Sequence, residues 1–210
     1  MLTGKQFKRA FISGANNILN HRKDVDALNV FPVPDGDTGT NMSMTSSAAV
    51  RELQVVSDDE DLSIVAAKTA AALLRGARGN SGVILSLVFR GISNGFKGKK
   101  EVGGKDLAAA LTLGKESAYK AVMKPTEGTI LTVVRKAAAA AEALASDDCG
   151  AVLDEAYRAA QEALAETPEL LPVLKEAGVV DAGGQGFLYI LDGIRGYINE
   201  GKFIESNDDA

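Results

Sequence analysis

Asn29-Val30-Phe31-Pro32-Val33-Pro34-Asp35-Gly36-Asp37-Thr38-Gly39-Thr40-Asn41-Met42 interrupts a chain that otherwise carries helical periodicity. Pro32 and Pro34 stiffen the approach, and Gly36 permits a sharp turn that can aim Asp35 and Asp37 at one point. Two carboxylates that close repel each other unless a cation or water relieves them. Thr38, Gly39, Thr40 and Asn41 then open a helix, whose free amides favour a phosphate. Hard oxygen ligands beside an anion-binding helix start suit magnesium bridged to nucleotide phosphates. An Asx turn followed by a cap explains the same residues without function. An EF-hand loop fits less well, because Gly39 and Ser46 stand where it needs acidic or amide ligands.

Around this segment the helices are legible from their apolar spacing. Thr3 and Gln6 form a capping box ahead of Phe7, Phe11, Ile18 and Leu19 on one face. Further helices are expected over 39–54 (Met42, Ala49, Leu53), 61–75 (Leu62, Val65, Thr69, Leu73) and 81–96 (Ile84, Leu87, Val88, Ile92, Phe96). Then come 105–123, 128–145, 150–166 and 185–199, with a short turn at 168–176 that starts at Pro168 after the cap Thr167. The fold class is all-α, with about eight helices and no convincing alternating strand. The apolar stripes are core faces.

Three loops rich in Gly and small polar residues separate these helices: 29–41, 76–82 and 178–186. The second, Gly76-Ala77-Arg78-Gly79-Asn80-Ser81-Gly82, feeds a helix start and carries an arginine. The third, Gly178-Val179-Val180-Asp181-Ala182-Gly183-Gly184-Gln185-Gly186, puts one carboxylate ahead of the final helix. Lys124-Pro125-Thr126-Glu127-Gly128-Thr129 forms another helix entry with two hydroxyls. Neither standard nucleotide fingerprint occurs, so a nucleotide site must be assembled from separate loops.

Composition narrows the chemistry. The 210 residues include 23 Lys plus Arg and 28 Asp plus Glu, a net charge of −5, which disfavours nucleic acid as a partner. There is one Cys, one His and no Trp. A zinc site lacks ligands, and a histidine-dependent triad has only His21 to use. No 18-residue apolar run or signal-peptide core is present, so a cytoplasmic protein without an integral membrane segment is expected. Residues 1–200 read as one domain, and 201–210 as a polar tail or a linker to further domains.

Four motifs carry a resemblance. Asp35-Gly36-Asp37-Thr38-Gly39-Thr40-Asn41-Met42, Gly79-Asn80-Ser81-Gly82, Glu127-Gly128-Thr129 and Asp181-Ala182-Gly183-Gly184 occur in the order seen in the nucleotide-binding domain of dihydroxyacetone kinases. The longer strings 28–37, 76–86 and 120–132 most resemble the N-terminal, nucleotide-binding domain of bacterial fatty acid kinase. The resemblance spans roughly residues 4–200.

It implies a barrel of eight antiparallel helices with ATP or ADP at one end and two magnesium ions on the phosphates. By the same resemblance Asp35, Asp37 and Asn29 are the metal ligands, with Asn29 replacing an aspartate at a one-residue offset. Thr38, Thr40, Asn41, Asn80, Ser81, Gly82 and Thr129 match positions near the nucleotide, joined by Gly39, Met42 and Gly79 in the same strings. Asp181 and Gly183 match the closing loop. The Gly-Arg-Ala segment of dihydroxyacetone kinases is replaced by Thr167-Pro168-Glu169-Leu170, and Arg78 is the candidate for the missing charge. The implied reaction is phosphoryl transfer from ATP to a fatty acid carboxylate. In fatty acid kinases that acid is held by a separate fatty-acid-binding carrier protein, which is the partner the resemblance implies. Two alternatives stay open: a dihydroxyacetone-type acceptor, and an ATP–magnesium module without turnover. A homodimer is compatible with either.

Overall fold

The capping box at Thr3 starts the first helix as its sequence requires. Gln6 N–H donates to Thr3 Oγ1 at 3.2 Å, and Thr3 N–H donates to Gln6 Oε1 at 3.0 Å. A computed structural model describes residues 1–207. In chain order it contains β1 (Leu2–Thr3), α1 (Gly4–Asn20), α2 (Arg22–Ala27), α3 (Thr38–Leu53), α4 (Leu62–Arg75) and α5 (Gly79–Gly95). There follow β2 (Glu101–Val102), α6 (Gly104–Ala121), α7 (Ile130–Leu144), α8 (Cys149–Leu170), α9 (Pro172–Ala177) and α10 (Ala182–Glu200). The two strands pair antiparallel, Leu2 opposite Val102 and Thr3 opposite Glu101.

The eight long helices pack in a closed cycle: α1 on α3, α3 on α4, α4 on α5, α5 on α6, α6 on α7, α7 on α8, α8 on α10, and α10 back on α1. Their apolar faces meet inside this ring. Phe11, Ile18, Met42, Leu53, Leu62, Leu73, Leu85, Phe96 and Ile190 are fully buried there. Edge-to-face pairs join Phe7 to Phe96 and Phe11 to Phe89, linking α1 to α5 and its C-cap. Small residues let the helices approach closely. A Cβ on Gly14 would meet Ile190 O at 2.5 Å, and one on Gly91 would meet Leu113 O at 2.2 Å.

The structure corrects three readings of the sequence. The helix expected to begin at Pro168 does not; α8 runs through it to Leu170, and the short helix starts at Pro172. Pro168 cannot donate to Leu164 O, but the Thr167 hydroxyl does so at 2.7 Å, so the turn keeps its hydrogen bond. The six-residue α2, joined to α1 at His21, and the two short strands lie below the length at which periodicity speaks. In α5 the buried face is Leu85, Val88, Phe89 and Ile92, while Ile84 and Leu87 are only half-buried. In the tail, Asn207 N–H donates to Asn20 Oδ1 at 2.8 Å and Ile204 N–H to Ser13 Oγ at 2.9 Å, which ties it to α1. Residues 208–210 of the expected tail lie outside the described residues.

Candidate nucleotide site

Asn29 organises the first loop. Its Oδ1 accepts the backbone N–H groups of Asp37 and Thr38, each at 3.1 Å, and its Nδ2 donates to Val33 O at 3.2 Å. Asn29 is buried, so these bonds fix the loop against the start of α3. Gly36, at φ 68°, supplies the turn between Asp35 and Asp37. Asp26, which sequence reading passed over, completes the corner. Thr40 N–H donates to Asp26 Oδ1 at 2.9 Å and Thr40 Oγ1 to Asp26 Oδ2 at 2.6 Å. The helix entrance is thus held from a residue fourteen positions earlier.

The Asp37 carboxyl is pushed above its ordinary range, first by burial and then by Asp35, which shares a hydrogen bond with it and repels its charge. Asp26 adds further repulsion, while a hydrogen bond from Asn41 works the other way. Crowded carboxylates of this kind are relieved by a hard cation. Among the described residues no group of three or more His, Cys, Asp or Glu side chains is placed to hold a metal. A magnesium ion at Asp35 and Asp37 therefore takes its remaining oxygens from water, phosphate or an amide. Such a shell is normal for this ion, which keeps waters and binds through one or two carboxylates. The oxygen donor set fits magnesium. Both lone pairs of Asn29 Oδ1 already accept amides, so Asn29 enters such a shell only by releasing Asp37 or Thr38.

The other loops converge beside this corner on a cavity of about 390 Å³. Thr38, Asn80, Ser81, Thr129, Asp181 and Gly183 all line it, so all four segments singled out in the sequence contribute. A Cβ on Gly183 would stand 3.4 Å from Asp181 Oδ2 and 3.5 Å from Ser81 Oγ. Much of the remaining lining is apolar: Phe31, Val83, Ile84, Leu87, Val122 and Ile130. This is why Ile84 and Leu87 escape the core. Lys124, at the rim, is the cavity's one cationic side chain among the described residues.

Each loop has its own anchor. Gly79, at φ 66°, passes so close to Asn41 that a Cβ would meet Asn41 Nδ2 at 2.6 Å. Thr45 Oγ1 accepts Arg78 N–H at 3.0 Å and donates to Asn41 O at 2.8 Å, tying the second loop to α3. A Cβ on Gly82 would strike that same hydroxyl at 2.4 Å. Thr129 caps α7, and Gly128 N–H donates to Thr132 Oγ1 at 2.8 Å. Glu127 bridges to Arg135 and accepts from Tyr119 OH at 2.8 Å. Burial opposes the Glu127 charge, yet these two donors outweigh it and hold the carboxyl below its usual range. The buried Asp181 accepts Gly184 N–H at 2.8 Å, capping α10, and burial pushes its carboxyl up to about 6.

Three candidates stand elsewhere: Met42, Arg78 and Thr40, the last on the same groove as Arg78. The Met42 side chain is fully buried in the core, where Gly186 makes room for its sulfur. Arg78 faces a separate groove on the far side of the first turn of α3. His21 accounts for itself structurally: Nδ1 lies 2.9 Å from Asn17 O, and its ring stacks on Tyr189 at 4.2 Å. Cys149 is buried at the start of α8, and burial pushes its thiol up. No helix among the described residues is long and apolar enough to cross a membrane.

This helical fold is found in solved structures. The chain superposes on the dihydroxyacetone kinase of C. freundii in complex with AMP-PNP and Mg2+ with a TM-score of 0.67 at 18% identity, covering 90% of this chain and 33% of that one. The native form of that kinase gives a TM-score of 0.61 at 20% identity. Residues 32–196 match the DAK2 domain, and the chain belongs to that family. It is 50% identical over 194 residues to the protein YloV of Bacillus subtilis, and 46% identical to a protein of Staphylococcus epidermidis. In both comparisons the match spans 91% of this chain but 35% of the relative, so the chain corresponds to about a third of those proteins.

Proposed function

We propose that the cavity binds ATP with magnesium and that the chain transfers the γ-phosphoryl group to the carboxylate of a fatty acid presented by a separate carrier protein. The observation that carries this reading is the convergence of Thr38, Asn80, Ser81, Thr129 and Asp181 on one cavity, with the Asp35–Asp37 pair in the loop that joins the lining residues Pro32 and Thr38. The DAK2 membership supports a kinase-type nucleotide module, and the structural neighbour solved with AMP-PNP and Mg2+ shows the same fold.

Asp35 and Asp37 would hold the magnesium, two ions in the scheme that the resemblance implies. Bound magnesium supplies charge neutralisation at the phosphates. The hydroxyls and amides of Thr38, Asn80, Ser81 and Gly82 hold phosphate oxygens, and the apolar wall of Ile84, Leu87 and Val122 takes the base. In the transfer step a carboxylate oxygen forms a bond to the γ-phosphorus as the bond to the β,γ-bridging oxygen breaks. The products are an acyl phosphate and ADP. A fatty acid is already ionised at pH 7, so no general base is needed, in keeping with a site that contains no histidine.

The test is thermal stabilisation by ATP with magnesium, in wild type and in a variant carrying Asp35→Ala and Asp37→Ala. A rise in the midpoint that the double variant abolishes is expected. The absence of any rise in the wild type overturns the nucleotide site. A fatty-acid-loaded carrier then decides the acceptor: acyl phosphate supports the reading, while phosphorylation of dihydroxyacetone instead replaces it.

A further inference from the structure

The first turn of α3 has a cavity on each side. Thr38 lines the nucleotide cavity, whereas Thr40 lines a second groove of about 380 Å³ that runs along α3. All the charged residues lining this groove are arginines: Arg22 from α2, Arg51 from α3 and Arg78 from the turn before α5.

The chain is acidic and spends its cations carefully. Of its nine arginines, Arg75, Arg135, Arg158 and Arg195 make ion pairs. Among the described residues Arg9, Arg22, Arg51, Arg78 and Arg90 make none, and three of these five share this groove. Arg22 spends one N–H on Leu19 O at 3.1 Å; the side chains of Arg51 and Arg78 have no hydrogen-bond partner among the described residues. The Ser47 hydroxyl, also in the lining, is likewise uncommitted.

Backbone packing sets this convergence. A Cβ on Gly39 would lie 2.1 Å from Arg22 O, and one on Gly76 would lie 2.5 Å from the Ala48 Cβ. Glycine at these two positions lets α2 and the 76–78 turn press onto α3 from either side. A larger residue at either position would push that segment off α3. Three arginines without an ion-pair partner, lining one groove with no acidic side chain in its lining, offer charge and N–H donors to an anion from outside.

We propose that this groove binds the phosphoryl group of a small phosphate-bearing molecule, separately from the nucleotide cavity. Guanidinium forks match phosphate oxygens two at a time, and Ser47 adds a neutral donor. Leu19, Met44 and Ala48 give the groove one apolar wall for the rest of the ligand. A volume of this size suits a small molecule.

The test titrates pyrophosphate and inorganic phosphate, without magnesium, into the protein and follows the arginine Nε–H signals by NMR. The signals of Arg22, Arg51 and Arg78 are expected to move together. Affinity should fall about tenfold or more in the Arg51→Gln, Arg78→Gln double variant, since each charge-assisted bond contributes more than a neutral one. Both side chains are exposed, so the variant should keep its thermal midpoint without ligand. A second variant, Asp35→Asn with Asp37→Asn, should leave this binding intact, which separates the outcome from that of the nucleotide site. The proposal is overturned if the anions move Thr38, Asn80 and Ser81 but not the arginines, or if the arginine double variant binds as tightly as wild type. It is also overturned if an acidic peptide shifts the arginines where neither anion does.

Discussion

The Thr167 hydroxyl accepts the backbone amide of Asp181 at 3.1 Å, joining the last turns of α8 to the loop that closes the nucleotide cavity. Both groups are buried, and the same hydroxyl donates to Leu164 O, so one side chain satisfies two backbone groups. Thr167→Val keeps the shape and removes both bonds. Leaving a buried amide unpaired costs about 1–3 kcal/mol. Urea denaturation should show a loss of that size with an unchanged slope, because the surface exposed on unfolding is the same. Thr167→Ser, which retains the hydroxyl, should recover most of it.

Asp181 should make the protein less stable as pH rises. Its carboxyl titrates near 6 in the folded protein against an ordinary value of 3.8, so the folded state holds the proton more tightly than the unfolded state. Its contribution is most favourable below the ordinary value and is lost as pH climbs through about 6. Asp181→Asn can still accept Gly184 N–H and carries no charge. The wild type should therefore lose stability relative to this variant between pH 4 and pH 7, by thermal midpoints compared across that range. A constant difference across the range would show that burial of the charge is not what sets this carboxyl.

Asn29 is expected to matter to the fold before it matters to any metal. Its Oδ1 takes the amides of Asp37 and Thr38, the entrance of α3. Asn29→Ala leaves these amides without their partner and should cost about 1–2 kcal/mol, in the range of a lost helix cap. Asn29→Asp supplies an acceptor with more charge but removes the donor to Val33 O. It should hold α3 and loosen the 31–35 segment, visible as faster amide exchange confined to that segment.

The sequence is legible where its signal repeats and silent where two distant segments meet. The capping pair Thr3 and Gln6, and the buried faces of α3 and α4, were readable because long helices repeat their apolar spacing many times. The four glycine-bearing segments could be read as binding elements because they place amides and hydroxyls where helices begin. Asp26 could not: its bond to Thr40 joins elements whose proximity only the packing of α2 on α3 creates. Pro168 misled because its missing donor is replaced by a neighbouring hydroxyl, a compensation with no local pattern. The same limit concealed where Arg78 faces. Its position in the string suggested the phosphates of the nucleotide, while the turn that carries it places it with Arg51 on the second groove.

Gly82 offers the most direct test of how closely the second loop must approach α3. It sits in the first turn of α5 with ordinary helical backbone, so alanine would raise helix propensity if space allowed. Space does not allow it, because the added Cβ would lie 2.4 Å from Thr45 Oγ1 and 3.5 Å from Thr45 Cβ. That hydroxyl is fully buried between Arg78 N–H and Asn41 O, so it has no room to turn away. Gly82→Ala should therefore destabilise the protein by about 1–3 kcal/mol, the usual cost of overpacking. It should also displace Asn80 and Ser81, lowering affinity for ATP with magnesium. Thr45→Ala alone removes the Arg78 contact and should cost about 1 kcal/mol or more. Combined with Gly82→Ala it also removes the clash. The double variant should then lose less than the two single losses added together, as measured in a double-mutant cycle. Simple additivity would mean that Gly82 is required for something other than this hydroxyl.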